Sequence, residues 1–193
     1  MSYRPKILDQ ITEHGFKVFQ DGDYDLNIIA VRNLENNPNV FDDKLHVVYL
    51  LNEEWKEHIF QVTTDPGRFY LEDPTYRDGL GVAVIYHPQQ ARGAYKIGLH
   101  GGKYEALRQW QPIKFWRDRN FDSKADYTGP VHKDLIYVNI HRASIKGSTQ
   151  IDRYSAGCIV FADPKEFDLF MDLAKKQISS LGYRTYTLTI ITE

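Results

Sequence analysis

The sequence predicts an α+β domain, mostly β with a few packed helices. Three observations carry this expectation. Runs rich in Val, Ile, Phe and Tyr recur along the chain. One strongly capped amphipathic pattern near the C-terminus spells a helix. The 193 residues, with no internal repeat or low-complexity tract, fit one elaborated domain better than two. Residues 1–40 are expected as an elaboration of that domain and residues 41–193 as its main body.

The first element is a short helix over Pro5–Glu13. Pro5 is tolerated at a helix start, Ile7, Leu8 and Ile11 fall on one face, and His14-Gly15 gives the stop. Strand-like runs follow at Phe16–Phe19, Leu26–Arg32, Lys44–Leu51, Glu54–Thr63 and Val82–Tyr86. Lys44–Leu51 and Glu54–Thr63 read as a hairpin, because a polar Asn-Glu-Glu break separates two β-prone runs of similar length. Between Thr64 and Gly81 the dipeptides Asp65-Pro66, Asp73-Pro74 and Asp78-Gly79 are turn chemistry within the domain and not a linker. Tyr104–Trp110 reads as a short helix, Pro112–Arg117 as extended chain, and Leu135–Ile140 as a buried strand ending at His141. Asp163 then caps a helix, with Pro164 at its first position and Glu166 closing a capping box. Phe167, Phe170, Met171 and Ala174 recur at three-to-four spacing over Pro164–Ser180, so this helix is expected to pack on the sheet. Leu181-Gly182 ends it, and Tyr183–Thr192 closes the chain as a strand.

Charge narrows the function classes. Lys plus Arg is 24 against 26 for Asp plus Glu, with no basic block, so there is no electrostatic case for nucleic acid or an anionic membrane as partner. No apolar run approaches the ~18 residues of a membrane span, so no membrane insertion is expected. The N-terminal stretch lacks the apolar segment and small-residue cleavage site of a signal peptide, which predicts a chain made in the cytoplasm without one. A single cysteine, Cys158, excludes an internal disulfide and a Cys-rich metal site.

Thiol chemistry needs a base near the sulfur and backbone N–H donors for the oxyanion. Ser155-Ala156-Gly157-Cys158 suits that need, because Gly157 lets the backbone approach a carbonyl closely and a capped helix follows. His141 stands seventeen residues upstream, at the end of the LIYVNI run. Cys158 equally suits a small buried position beside Ile159-Val160-Phe161, and local chemistry leaves both roles open.

The segment Tyr137–Phe161, YVNIHRASIKGSTQIDRYSAGCIVF, resembles the active-site stretch of the L,D-transpeptidase (YkuD-type) catalytic domain family. That family places a histidine at a strand end, then a loop of somewhat under twenty residues, then Ser-X-Gly-Cys. His141 matches its base, Ser155 its serine, Gly157 its glycine and Cys158 its nucleophile. The wider stretch from about Phe41 to Ile191 is similar in its early hairpin, its Thr63–Gly67 turn (TTDPG) and the helix after the cysteine. His-Arg-Ala and Ser-Ala-Gly-Cys resemble most a divergent branch seen in phage and Bacteroidetes-type proteins.

The departures matter. Ala156 stands where many members have a second histidine, and Val160 where many have an arginine that meets a substrate carboxylate. Recognition must then come from elsewhere, and Arg142 and Arg153 are the nearest candidates, the alternative for each being a solvated loop charge. The resemblance also implies that the backbone carbonyl after the histidine, here that of Arg142, orients the imidazole. His100, in Leu99-His100-Gly101-Gly102, copies a His-Gly pair at the wrong spacing and is expected as a substrate-groove residue. His14, His46, His58, His87 and His132 show no ligand spacing.

The resemblance implies a cysteine enzyme acting on peptidoglycan stem peptides through a thioacyl-enzyme, without a cofactor. It implies an L,D-carboxypeptidase or endopeptidase if water resolves the intermediate, and an L,D-transpeptidase if an amine does. With no signal peptide, the fitting settings are a phage lysin, an injected toxin or an enzyme of wall-peptide recycling. The first two would act at the cell wall after lysis or injection. The alternative is a non-catalytic wall-binding or virion structural module on the same fold.

One further cluster invites a metal. Asp118, Asn120, Asp122 and Asp126 set oxygens as an EF-hand loop does, but Ser123 stands where Gly is wanted and Gly129 where a bidentate Glu is required. A solvated acidic turn with no metal requirement is expected.

Overall fold

The computed structural model describes residues 3–193. Its N-terminal helix α1, Lys6–Glu13, buries Ile7, Leu8 and Ile11 as the spacing requires. Strands β1 (Asn27–Arg32), β2 (Asp43–Leu51) and β3 (Glu54–Thr63) follow, then the single-turn helix α2 (Arg68–Leu71). The middle of the chain is all strand: β4 (Val82–Ile85), β5 (Gln89–His100), β6 (Tyr104–Gln109), β7 (Ile113–Asp118) and β8 (His132–Asp134). Short strands β9 (Ile140–Arg142) and β10 (Ile159–Phe161) flank the 143–158 loop, and helix α3 (Pro164–Leu181) and strand β11 (Tyr186–Thr192) complete the chain.

Eight strands close into a barrel in the order β1-β11-β5-β6-β9-β10-β3-β2, and β4, β7 and β8 form a second sheet with β7 in the middle. Two pairs in the barrel are parallel, β1 with β11 and β9 with β10. The expected hairpin forms, with a tighter turn than the polar break suggested. Asn52 and Glu53 both take positive φ, 51° and 65°, and Glu54 already pairs with Leu51, which is the two-residue connection whose twist matches its strands. The segment 1–40 contributes a full barrel strand, β1, between β2 and β11.

One core unites these parts. Inward side chains of the barrel such as Leu45, Val47, Ile140, Phe161 and Leu188 share a cluster with Phe167, Phe170, Met171 and Ala174 of α3. Ala83, Ile85, Ile113 and Phe115 on one face of the small sheet join the same cluster. Each fully buried Phe or Leu contributes about 1.5–3 kcal/mol. α1 packs outside the barrel, on Ile29, Val31, Val48 and Ile191. Among the described residues no helix is long and apolar enough to cross a membrane.

Several expected elements take a different form. Phe16–Phe19 is not a strand: the Asn27 amide accepts from Phe19 N–H at 2.7 Å and donates to Phe19 O at 2.8 Å, so a side chain satisfies the backbone a neighbouring strand would have served. Tyr104–Trp110 is not a helix. Helix-favouring Glu-Ala-Leu-Arg is overridden by pairing of β6 with β5 across Gly101-Gly102, both at positive φ, and by burial of Ala106 and Leu107 in the core. The LIYVNI strand is displaced. Its first residues are held by the Gln109 side chain, whose Oε1 accepts from Ile136 and Val138 N–H at 3.1 Å each, and only Ile140–Arg142 joins the barrel. His141 is therefore the middle of β9 and not its end. The α3 cap is half as expected: Asp163 accepts from Lys165 N–H at 2.8 Å, but Glu166 reaches across to Gln61 N–H at 3.2 Å and ties α3 to β3.

Candidate active site

The parallel pair β9–β10 sets the site. Ile159 lies opposite Ile140 and Val160 opposite His141, with Ile159 N–H donating to Asn139 O at 3.0 Å. Side chains alternate along strands. Val138, Ile140, Ile159 and Phe161 enter the core, which leaves Asn139, His141, Cys158 and Val160 on the opposite face. Cys158 thus stands beside Asn139 and diagonal to His141.

The turn before the cysteine is built by its own motif. Ser155 is fully buried. Its hydroxyl donates to Cys158 O at 2.8 Å and accepts from Gly157 N–H at 3.2 Å, and its carbonyl accepts from Gly67 N–H at 2.8 Å. Gly157 has φ +105°, and a Cβ there would lie 2.3 Å from Ala83 O. No other residue fits. Ser155 and Gly157 therefore shape the loop that presents Cys158, and Ala156 packs against the Trp116 cluster.

Gly67 belongs to the TTDPG turn, which a buried network fixes from below. The Arg32 guanidinium, 0% exposed, donates to Thr64 Oγ1 (2.8 Å), Thr64 O (3.0 Å) and Ile85 O (2.7 Å), and lies 2.8 Å from His87 Nδ1. It is 3.2 Å from the Asp65 carboxylate and rests on the Tyr127 ring. Asp43 accepts from both N–H and hydroxyl of Thr64. Nothing in the sequence marks Arg32 as buried, since it ends a strand run where a solvated charge is ordinary.

At the chemical centre the Cys158 sulfur accepts from Asn139 N–H at 3.3 Å. Burial pushes the thiol up to about 11, against the opposing pull of that N–H. His141 Nδ1 is 2.8 Å from Arg142 O. A carbonyl only accepts, so Nδ1 carries the proton and Nε2 the lone pair. That Nε2 is buried and has no hydrogen-bond partner among the described residues. Burial, then the neighbouring His100, hold the imidazole down at about 3. The resting pair is neutral thiol and neutral imidazole.

His100 joins this centre. Its ring stacks on His141 with centroids 4.0 Å apart and 21° between planes, and its Nδ1 is 3.3 Å from Asn139 Nδ2. Tyr104 donates its hydroxyl to Arg142 O at 3.2 Å. The Arg142 carbonyl is thus where the resemblance implies, beside Nδ1. Its guanidinium lies over Tyr104 and 4.0 Å from Asp168 of α3. Arg153 lies in an adjoining cavity of about 450 Å³ with Arg68, Phe69, Glu72, Asp152 and Tyr154, its guanidinium stacked on Phe69. Tyr70 bridges the two regions, donating to Arg153 O at 3.4 Å; burial and then the nearby Tyr76 and Cys158 raise its phenol.

Cys158, His141, Ser155, Gly157, His100 and the Arg142 backbone are therefore brought together, with Arg153 one cavity away. Asn139, Gln109 and Tyr104 were not anticipated. Asn139 had one signal, a polar residue two before His141 in an otherwise apolar run. Tyr104 had none, because its strand reads as a helix.

In the acidic loop Asp118 accepts from Asp126 N–H, Asn120 donates to Asp122 and Asp126, and Asp122 accepts from Lys124 N–H. These contacts are internal to the loop, while Asp118 Oδ1 is buried without a hydrogen-bond partner among the described residues. Among the described residues no three His, Cys, Asp or Glu side chains are grouped to hold a metal ion.

Comparison with models of known families, with curated proteins and with solved structures finds no match to this chain.

Proposed function

We propose that this protein is a cysteine-dependent enzyme of the L,D-transpeptidase type acting on peptidoglycan stem peptides. The observation that carries the reading is the orientation of His141: with Nδ1–H held by the Arg142 carbonyl, a buried, unbonded Nε2 lone pair shares one face with Cys158. The mostly β barrel and the capped helix after the cysteine are compatible with it.

In this mechanism Nε2 takes the thiol proton as sulfur attacks the peptide carbonyl. The proton then passes to the departing amine, leaving a thioacyl-enzyme. Water resolves it to a free carboxylate, giving carboxypeptidase or endopeptidase action, and an amine resolves it to a new peptide bond, giving transpeptidase action. Because the resting pair is neutral, the proton moves with the attack and not before it. Release at the wall by lysis or injection, as for a phage lysin or toxin, is the setting proposed.

A second reading, a non-catalytic wall-binding or virion module, is favoured by the thiol held up to about 11 and by Val160 in place of a carboxylate-binding arginine. Incubation with purified muropeptides, followed by mass measurement, separates the two. The enzyme reading expects loss of a terminal residue, cleavage, or loss of one water per joined pair, abolished in Cys158→Ala and Cys158→Ser. Full turnover in Cys158→Ala would overturn it, and wall binding without turnover would establish the second reading.

A further inference from the structure

The two stacked imidazoles carry their protons on opposite nitrogens. Gln109 N–H donates to Asn139 Oδ1 at 3.1 Å, and because a backbone N–H only donates, this fixes which end of the Asn139 amide is oxygen. Asn139 Nδ2 then faces His100 Nδ1 at 3.3 Å as a donor, so Nδ1 accepts and the His100 proton sits on Nε2. In His141 the Arg142 carbonyl demands the reverse, Nδ1–H with a lone pair on Nε2. Side by side, 4.0 Å apart, the site thus holds one base and one donor.

An attacked carbonyl needs a donor where its oxygen becomes negative. His141 is an acceptor at its unbonded nitrogen. Three side-chain donors around it are engaged, Tyr104 with Arg142 O, Ser155 with Cys158 O and Asn139 Nδ2 with His100 itself, and the unpartnered Tyr95 hydroxyl near Cys158 is sealed within the barrel core. His100 Nε2–H makes no hydrogen bond among the described residues, and its ring is half-buried, open on one side. Its proton must also stay single. A cationic His100 beside His141 would keep His141 from accepting the thiol proton, and burial with the nearby Arg108 favours the neutral ring.

We propose that His100, neutral and protonated at Nε2, is a second catalytic residue that donates a hydrogen bond to the acyl oxygen as Cys158 attacks. This rests on Cys158 being the nucleophile. The Sγ–C bond forms as the carbonyl π pair moves onto oxygen and the thiol proton moves to His141 Nε2. His100 holds the oxyanion without giving up its proton, and re-formation of C=O expels the leaving group.

Two reagents on the full chain test the role. Acylation by p-nitrophenyl acetate passes through an oxyanion and releases p-nitrophenolate, whereas alkylation by iodoacetamide passes through none and reads only the thiol and its base. His100→Gln keeps an amide N–H near the Nε2 position, while His100→Asn keeps only the Nδ1 side and His100→Phe keeps only the stacked ring. Loss of one oxyanion donor costs on the order of 10²–10³-fold. His100→Asn and His100→Phe should therefore lose about that much acylation while alkylation stays within about threefold, and His100→Gln should recover acylation to within about tenfold of wild type. Either donor-less variant suffices if the other fails to fold. Parallel loss of acylation and alkylation, full acylation in His100→Phe, or no recovery in His100→Gln would overturn the proposal. Acylation of wild type no faster than of Cys158→Ala would instead overturn the nucleophile assignment, and this proposal with it.

Discussion

His141 is the residue whose environment makes the sharpest prediction. Its folded value of about 3 lies below the ordinary 6.5 of a free imidazole, so it contributes stability above pH 6.5 that is lost as the pH falls towards about 3. Between pH 6.5 and pH 5 that loss amounts to about 2 kcal/mol. Asp43 and Asp118, held up at about 7 and about 6 by burial, act in the opposite sense, and the difference between wild type and His141→Gln cancels them. Urea midpoints from pH 5 to 8 should show wild type losing stability relative to His141→Gln on acidification, and parallel curves would refute it. At this scale the sequence was most legible where chemistry is local in the chain. Ser155, Gly157 and Cys158 form one turn, and His141 is placed by the next strand. Asn139 and Tyr104 meet the centre only through sheet pairing, which local pattern does not reveal.

Among the elements, the segment leading from β8 into β9 is held by one side chain of β6. Gln109 is 4% exposed, accepts from Ile136 and Val138 N–H, and donates to Gln111 O and Asp134 O at 3.0 Å each. Gln109→Leu would leave the N–H groups of buried Ile136 and Val138 without partners, each such orphan costing about 1–3 kcal/mol, while the carbonyls of exposed Gln111 and Asp134 can turn to water. We expect a loss of at least about 2 kcal/mol in chemical unfolding, with amide exchange rising first over 135–140. A loss under about 1 kcal/mol would mean that water or a shift of the segment replaces the side chain. The same contact explains why the strand expected over Leu135–Ile140 is displaced. LIYVNI has the composition of a strand, yet its first half finds a glutamine in place of a partner strand. β5 escaped notice for the opposite reason: QQARGAYKIGLH is polar and glycine-bearing, and becomes a strand only because β6 and β11 flank it. α1, α3 and the β2–β3 hairpin were legible because their caps, periodicity or turn residues are contained within them.

For the molecule as a whole, the buried Arg32 network joins the barrel to the small sheet. Its ties run from β1 to the Thr64–Asp65 turn, to Ile85 of β4 and to Tyr127 beyond β7. Removing one partner of a buried charged network leaves the others uncompensated and typically costs about 3–5 kcal/mol. Arg32→Met should lower the melting temperature by about 10 °C and release the Gly67–Ser155 contact that braces the Cys158 loop. An unchanged melting temperature would show the network to be dispensable. None of this was legible, since Arg32, Asp43, Asp65 and Tyr127 are scattered in sequence and only the closed barrel gathers them.

The placement of β11 bears on how the molecule is made. This strand is inserted between β1, from the start of the chain, and β5, from its middle. On the ribosome, β1 and β5 therefore wait with open edges until Tyr186–Thr192 has left the exit tunnel. Closure is a late event joining distant segments, which is slow by loop entropy and exposes two pairing-competent edges meanwhile. A chain stalled or cut before Tyr186 would be a candidate for chaperone capture or strand exchange with its neighbours, although the residues of the cysteine centre itself are already present.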